Sequence, residues 1–100
     1  MEFQWDSLKN QANIKKHGIS FEEASELFEL PYNLILELYD YEHSLNEDRI
    51  ISIGPIKRGV IVVVSVERDE GNVIRLISAR FAKKTEQQRY EQAIAGETYD

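Results

Sequence analysis

Residues Val60 to Val64 form an unbroken apolar run, with no polar side chain on either parity. A strand of that pattern is covered on both faces, so it belongs in the interior of a sheet. Its flanks also read as strands. Leu34, Leu36 and Leu38 alternate with Ile35, Glu37 and Tyr39. Arg49 to Ile53 follows a polar turn at His43 to Asp48, and Val73 to Phe81 closes the series. Gly54-Pro55 with Arg58-Gly59, and then Asp69-Glu70-Gly71-Asn72, carry the turn chemistry between them. Turns this short force neighbouring strands to run antiparallel.

Helices bracket this β region. Glu2 to Trp5 reads as a short strand with Phe3 and Trp5 pointing the same way. Asp6 then has the chemistry of a helix N-cap, for a helix that runs to about His17. Lys15, Lys16 and His17 suit its negative end, and Gly18 its left-handed stop. Ser20-Phe21-Glu22-Glu23 has capping-box spacing, and Phe21, Ala24, Leu27 and Phe28 follow at helical intervals until Pro31. Thr85-Glu86-Gln87-Gln88 is a second capping box, opening a helix that ends near Gly96. The expected fold class is α+β, in the order β-α-α-β-β-β-β-α. Two N-terminal helices pack on one face of a mainly antiparallel meander and bury Leu8, Phe21, Leu27 and Phe28. One hundred residues without a linker make a single domain spanning residues 1–100.

The chain holds no cysteine, which excludes disulfides and thiolate metal sites. It has no apolar run long enough for a membrane helix and no signal-peptide anatomy at its start, so a cytoplasmic protein is expected. A modest core leaves room for a shallow surface site, not a deep pocket. The net charge of −6 is unevenly distributed. Residues 1–48 carry three Lys/Arg against eleven Asp/Glu; residues 49–89 carry nine against four. Either folding pairs the acidic half with the basic half, or the cations face an anionic partner.

The residues restrict the chemistry further. His17 and His43 have no histidine or cysteine partner at ligand spacing, and Glu22, Glu23, Glu26 and Glu29 read as the wet face of a helix; no metal site or other cofactor is expected. A glycine-rich phosphate loop and a nucleophile elbow are both missing, and Ser52, Ser65 and Ser78 lack a His–Asp pairing. The first helix carries Asp6, Lys9, Asn13, Lys16 and His17 near one face, either as a solvated stripe or as phosphate and proton-transfer groups. Arg49, Arg68, Arg75 and Arg80 lie on or beside three neighbouring strands. Arg75 and Arg80 differ in parity, so a regular strand points them to opposite faces. Arg80, at a strand end, is placed to fork onto a phosphate; the alternative for each arginine is a surface ion pair. Glu86 and Tyr90 stand one helical turn apart, with Tyr90 either anchoring its helix or offering its hydroxyl.

The run Phe3 to Ala24 (F-x-W-D-x-x-K-x-x-x-N-x-x-K-H-G-x-S-F-E-E-A), the Arg49 strand with Gly54, Arg75 to Arg80 (R-x-I-S-A-R) and the Glu86–Tyr90 pair together resemble the BrnT family of toxins from type II toxin–antitoxin modules. The resemblance covers residues 3–91. It implies a RelE-like ribonuclease fold, cleavage of an RNA substrate that slows growth, and neutralisation by a small cognate BrnA-like antitoxin that binds DNA. The toxin would then meet DNA only through that antitoxin, in repression of its own operon. It also gives the cations a use. Metal-independent cleavage needs a base, an acid and positive charge on the phosphate. Arg49 and Arg80 become candidate phosphate clamps. His17, Lys16 and Tyr90 become proton-transfer candidates, and Lys16, Arg68, Lys83 and Lys84 RNA contacts. The competing reading is a non-catalytic module that acts only with its DNA-binding partner.

Overall fold

A computed structural model describes residues 1–96. The elements are β1 (Glu2–Gln4), α1 (Ser7–His17), α2 (Phe21–Ala24), β2 (Leu36–Tyr39), β3 (Ile50–Ile56), β4 (Gly59–Arg68), β5 (Val73–Phe81) and α3 (Lys84–Gly96). They build an α+β fold around one mixed five-stranded sheet, in the order β1-β5-β4-β3-β2. β2 to β5 form the antiparallel meander, whereas β1 adds to the far edge parallel to β5, with Phe3 opposite Ile74. β4 takes the interior place that its apolar run requires.

Strand register assigns the two faces. Ile61, Val63 and Ser65 of β4 share a face with Gly54 and Ser52 of β3 and with Ala79 and Leu76 of β5. On this α2 face, Ile19, Phe21, Ala24 and Leu27 pack onto Ile61, Val63, Leu76 and Ala79 as the core. Trp5 meets Phe21 edge-on at 6.3 Å, and Phe3 meets Phe28 at 5.7 Å. Gly54 is required here by close approach. A Cβ on it would stand 2.6 Å from Leu27 Cδ1.

α1 is capped as its ends dictate. The Asp6 carboxylate accepts the N–H groups of Leu8 and Lys9, and Gly18 closes the helix at φ 73°. Its packing differs from expectation, because Leu8 is 74% exposed. The helix is held instead by Asn13, a buried polar residue. The Asn13 amide donates to the carbonyls of Ile19 and Ala79 and accepts the Ala79 N–H. β1 pairs with β5 only as far as Arg75, so the Asn13 side chain supplies the strand partner that Ala79 would otherwise lack. Asn13 therefore leaves the expected solvated stripe.

Two other expectations change, and one hairpin connection is unusual in its backbone. The second helix is α-helical only over Phe21–Ala24 and continues as a 3-10 turn over Ser25–Glu29. Gly54-Pro55 is not a turn; β3 runs on to Ile56 and the chain reverses at Lys57-Arg58. Pro55 is tolerated because β2 ends opposite Ile53, leaving this part of β3 on an edge. The Asp69-Glu70-Gly71-Asn72 connection turns through three successive positive-φ residues, Asp69, Glu70 and Gly71.

The largest correction concerns the arginines of β5. Val64 pairs with Ser78 but Ser65 pairs with Leu76, so Ile77 is an extra, bulged residue. Arg80 lies opposite Val62 and Arg75 opposite Val66. Val62 and Val66 are four residues apart and point the same way. One bulged residue reverses the alternation, and both arginines emerge on the face opposite α2.

Candidate functional site

That second face is built by α3. Only Ala82 and Lys83 separate the end of β5 from the helix. Glu86 sits three residues after Lys83 and its carboxylate accepts the Lys83 N–H at 2.8 Å. This is the reach-back half of a capping box with Lys83, not Thr85, at the cap, so the helix starts earlier than its sequence suggested. The Tyr90 hydroxyl donates to the Leu34 carbonyl at 2.6 Å and ties the helix to the chain entering β2. Burial raises the Tyr90 pKa, so its hydroxyl stays protonated at neutral pH.

Between α3 and the sheet lies an open cleft of about 210 Å³. Its floor is apolar, from Leu38, Ile51, Ile53, Val62 and Val64, and Arg80, Arg89, Ser78 and Glu86 form its polar side. Arg80 and Glu86 make a two-pronged pair at 2.7 and 2.8 Å, with their side chains 34% and 25% exposed. Hydrogen bonding from Arg80 is the main reason the Glu86 pKa falls to about 2; the Lys83 N–H helps, against the opposing effect of burial. Glu86 is therefore a carboxylate at any physiological pH. Arg80 also donates to the Phe81 carbonyl. These bonds occupy three of the five guanidinium N–H groups, and the others remain to take an anion.

The remaining cations divide into two sets. Arg58 binds Glu23 in the same forked manner, donates to the Gly18 carbonyl and lies 5.2 Å over the Phe81 ring. It clamps α1 and α2 to the hairpin and is structural. Arg68 pairs with Glu47 at 3.1 Å, linking β4 to the loop before β3, and both side chains are about half exposed. Among the described residues, no ion pair engages Arg49, Arg75 or Arg89.

The cleft gathers some of the candidates and leaves others apart. Arg80 lines it directly, and Tyr90 fixes the helix that walls it. Lys83 and Lys84 are exposed at the start of that helix. Arg49 lines a separate hollow with Glu42, His43 and Glu47. It stands four residues along β3 from the row of Arg80, roughly 13 Å away along the strand. His17 and Lys16 end α1 and do not line the cleft. Arg89 is the cleft cation to which sequence reasoning gave no role, and Ser78 was weighed only as a nucleophile. Arg89 had a findable signal, since it lies three residues after Glu86 on the same helix face.

No group of three or more His, Asp or Glu residues among the described residues is arranged to hold a metal ion. No described helix is long and apolar enough to cross a membrane. No curated protein matches the chain. A family profile does, across residues 5–86, under the description of a ribonuclease toxin, BrnT, of a type II toxin–antitoxin system. That span takes in the capped first helix, strands β2 to β5 and Glu86. The chain belongs to the BrnT family of ribonuclease toxins.

Proposed function

We propose that the chain has a RelE-like fold and cleaves RNA on the α3 face without a metal ion, slowing growth in the cytoplasm until a BrnA-like, DNA-binding antitoxin neutralises it. The observation that carries this reading is the bulge at Ile77, which places Arg75 and Arg80 on the face that holds the open cleft. An RNA phosphate entering there meets the remaining N–H groups of Arg80 and the guanidinium of Arg89, over an apolar floor that strengthens their pull. Glu86 acts by positioning. It is too acidic to collect a proton near neutrality, and it fixes the plane of the Arg80 guanidinium toward the cleft. Lys83 and Lys84 extend the positive surface along the strand of RNA. Arg49 and Arg68 lie farther along the sheet, suited to a flanking phosphate. His17 is the proton-transfer candidate by side-chain type, and it acts only if RNA spans from the cleft to the end of α1. Tyr90 would have to release Leu34 to serve as an acid, so its role here is to seat α3.

The test is RNA cleavage by the purified chain in the presence of a chelator, beside Arg80→Ala and Arg80→Lys variants checked for folding by circular dichroism. Arg80→Ala is expected to lower cleavage by about 100-fold or more, and Arg80→Lys, which keeps the charge but loses the fork, by less. Full cleavage by folded Arg80→Ala would remove the cleft from the mechanism. Loss of wild-type cleavage on chelation would remove metal independence. The pairing of Arg80 with Glu86 favours the second reading, an interaction module acting with its antitoxin in operon repression; RNA left intact at every salt concentration would decide for it.

A further inference from the structure

The α2 face carries a hollow of its own, at the end that the helices do not cover. Its volume is about 270 Å³, and Phe28, Leu30, Ile35, Ile50 and Ile74 give it apolar walls. Glu37 of β2 and Glu67 of β4 stand in the same lining. Both carboxylates are solvent-exposed at the rim of the hollow, which Met1 and Tyr32 also line, and their like charges face each other there. The Glu37 pKa is raised, first by partial burial and then by the charge of Glu67. Neither Glu37 nor Glu67 has an ion-pair partner among the described residues. By contrast Glu23, Glu47 and Glu86 each take an arginine. An occupant that relieves this conflict has an apolar stem and a cationic head, the form of a lysine or arginine side chain.

We propose that this hollow receives a lysine or arginine of the antitoxin, with its stem against Phe28, Ile50 and Ile74 and its charge between Glu37 and Glu67. The proposal rests on the toxin–antitoxin reading of the chain. A protein partner is favoured over a free amine because a side chain with its stem in an apolar hollow and its charge on a paired rim gives an interface both affinity and register. The hollow opens on the face of the sheet opposite the arginine cleft, so filling it does not by itself block RNA.

The test uses wild type and the E37Q/E67Q double variant. Each is titrated with hexylguanidinium, followed by NMR of the Ile50 and Ile74 methyl groups, and with the antitoxin encoded beside it, followed by calorimetry. Hexylguanidinium is expected to shift both methyl groups in wild type and not in the variant. Antitoxin affinity is expected to fall by about tenfold or more in the variant, while its melting temperature holds or rises and its RNA cleavage is unchanged. A merely structural role for the two glutamates would lower the melting temperature instead. The proposal is overturned if the antitoxin binds the variant as tightly as wild type, if hexylguanidinium moves neither methyl group, or if no antitoxin binds wild type. Absence of RNA cleavage by wild type is a separate readout, and tells against the nuclease reading while leaving the docking result legible.

Discussion

The two faces of the sheet solve different problems with the same strands. On the α2 face, Phe21, Ala24, Leu27, Ile61, Val63 and Ala79 are fully buried, and the polar Asn13 among them spends its side chain on backbone groups. On the α3 face, the helix covers only part of the sheet, and Arg80 and Glu86 stay partly wet beside an apolar floor. A dry face rewards shape and satisfied hydrogen bonds. A half-covered face keeps charges strong enough to act and open enough to be reached. β4, apolar on both sides, is a core strand on one side and the floor of an open cleft on the other.

The comparison breaks most readily at the dry face. Phe21→Ala should cost about 4 kcal/mol of stability, since it empties a ring-sized volume from packed surroundings; chemical denaturation measures it, and a loss below about 1 kcal/mol would mean the face is loosely packed. Asn13→Ala should cost about 3 kcal/mol, because it leaves buried groups of Ala79 and Ile19 unpaired. Hydrogen exchange should then speed up at Ala79 and stay slow at residues paired within the meander. If Ala79 exchanges no faster, the Asn13 side chain is not the strand substitute described above.

The wet face is sharpened by pH. The Glu86 pKa is lowered, so its pairing stabilises the folded chain above the ordinary carboxyl range, and that contribution is lost as pH falls from about 4.5 toward about 2. After allowance for solvent screening, about 2 kcal/mol is at stake. Melting temperatures of wild type and Glu86→Gln should differ near neutrality and converge at acid pH; a constant difference would place the effect in helix capping alone. Glu37 has the opposite sign. Its raised pKa means that ionisation weakens the fold as pH rises, so Glu37→Gln should help slightly at pH 7 and not at pH 3. The smallest effect belongs to Lys83 and Lys84. Replacing both with alanine should leave stability within about 0.5 kcal/mol, and weaken RNA binding mainly at low salt, with a shallower salt dependence.

Much of this was legible in the residues themselves. Asp6, Gly18 and Ser20 mark helix ends because capping depends on a few adjacent atoms, and the five strands of the sheet follow from apolar runs and turn residues. What was not legible involved contacts between distant segments. Nothing near Asn13 in sequence announces Ala79, which lies 66 residues away. The second helix shortens to four α-helical residues, and Leu27 in the 3-10 turn that follows settles over Gly54, a contact across the chain. In the candidate site, Arg80 and Glu86 were each visible as functional types, but their pairing arises from the sharp turn from β5 into α3.

The sequence by itself determined the capped first helix, the β-rich centre and the segregation of charge, since each depends on local conformational preference or on composition. Only the tertiary structure decided which arginines share a surface. Alternation along a strand is an ideal two-residue period, and a single extra residue at Ile77 inverts it for everything beyond. Whether such a residue is accommodated depends on the partner strand that must close around it, and that partner is chosen only when the sheet assembles.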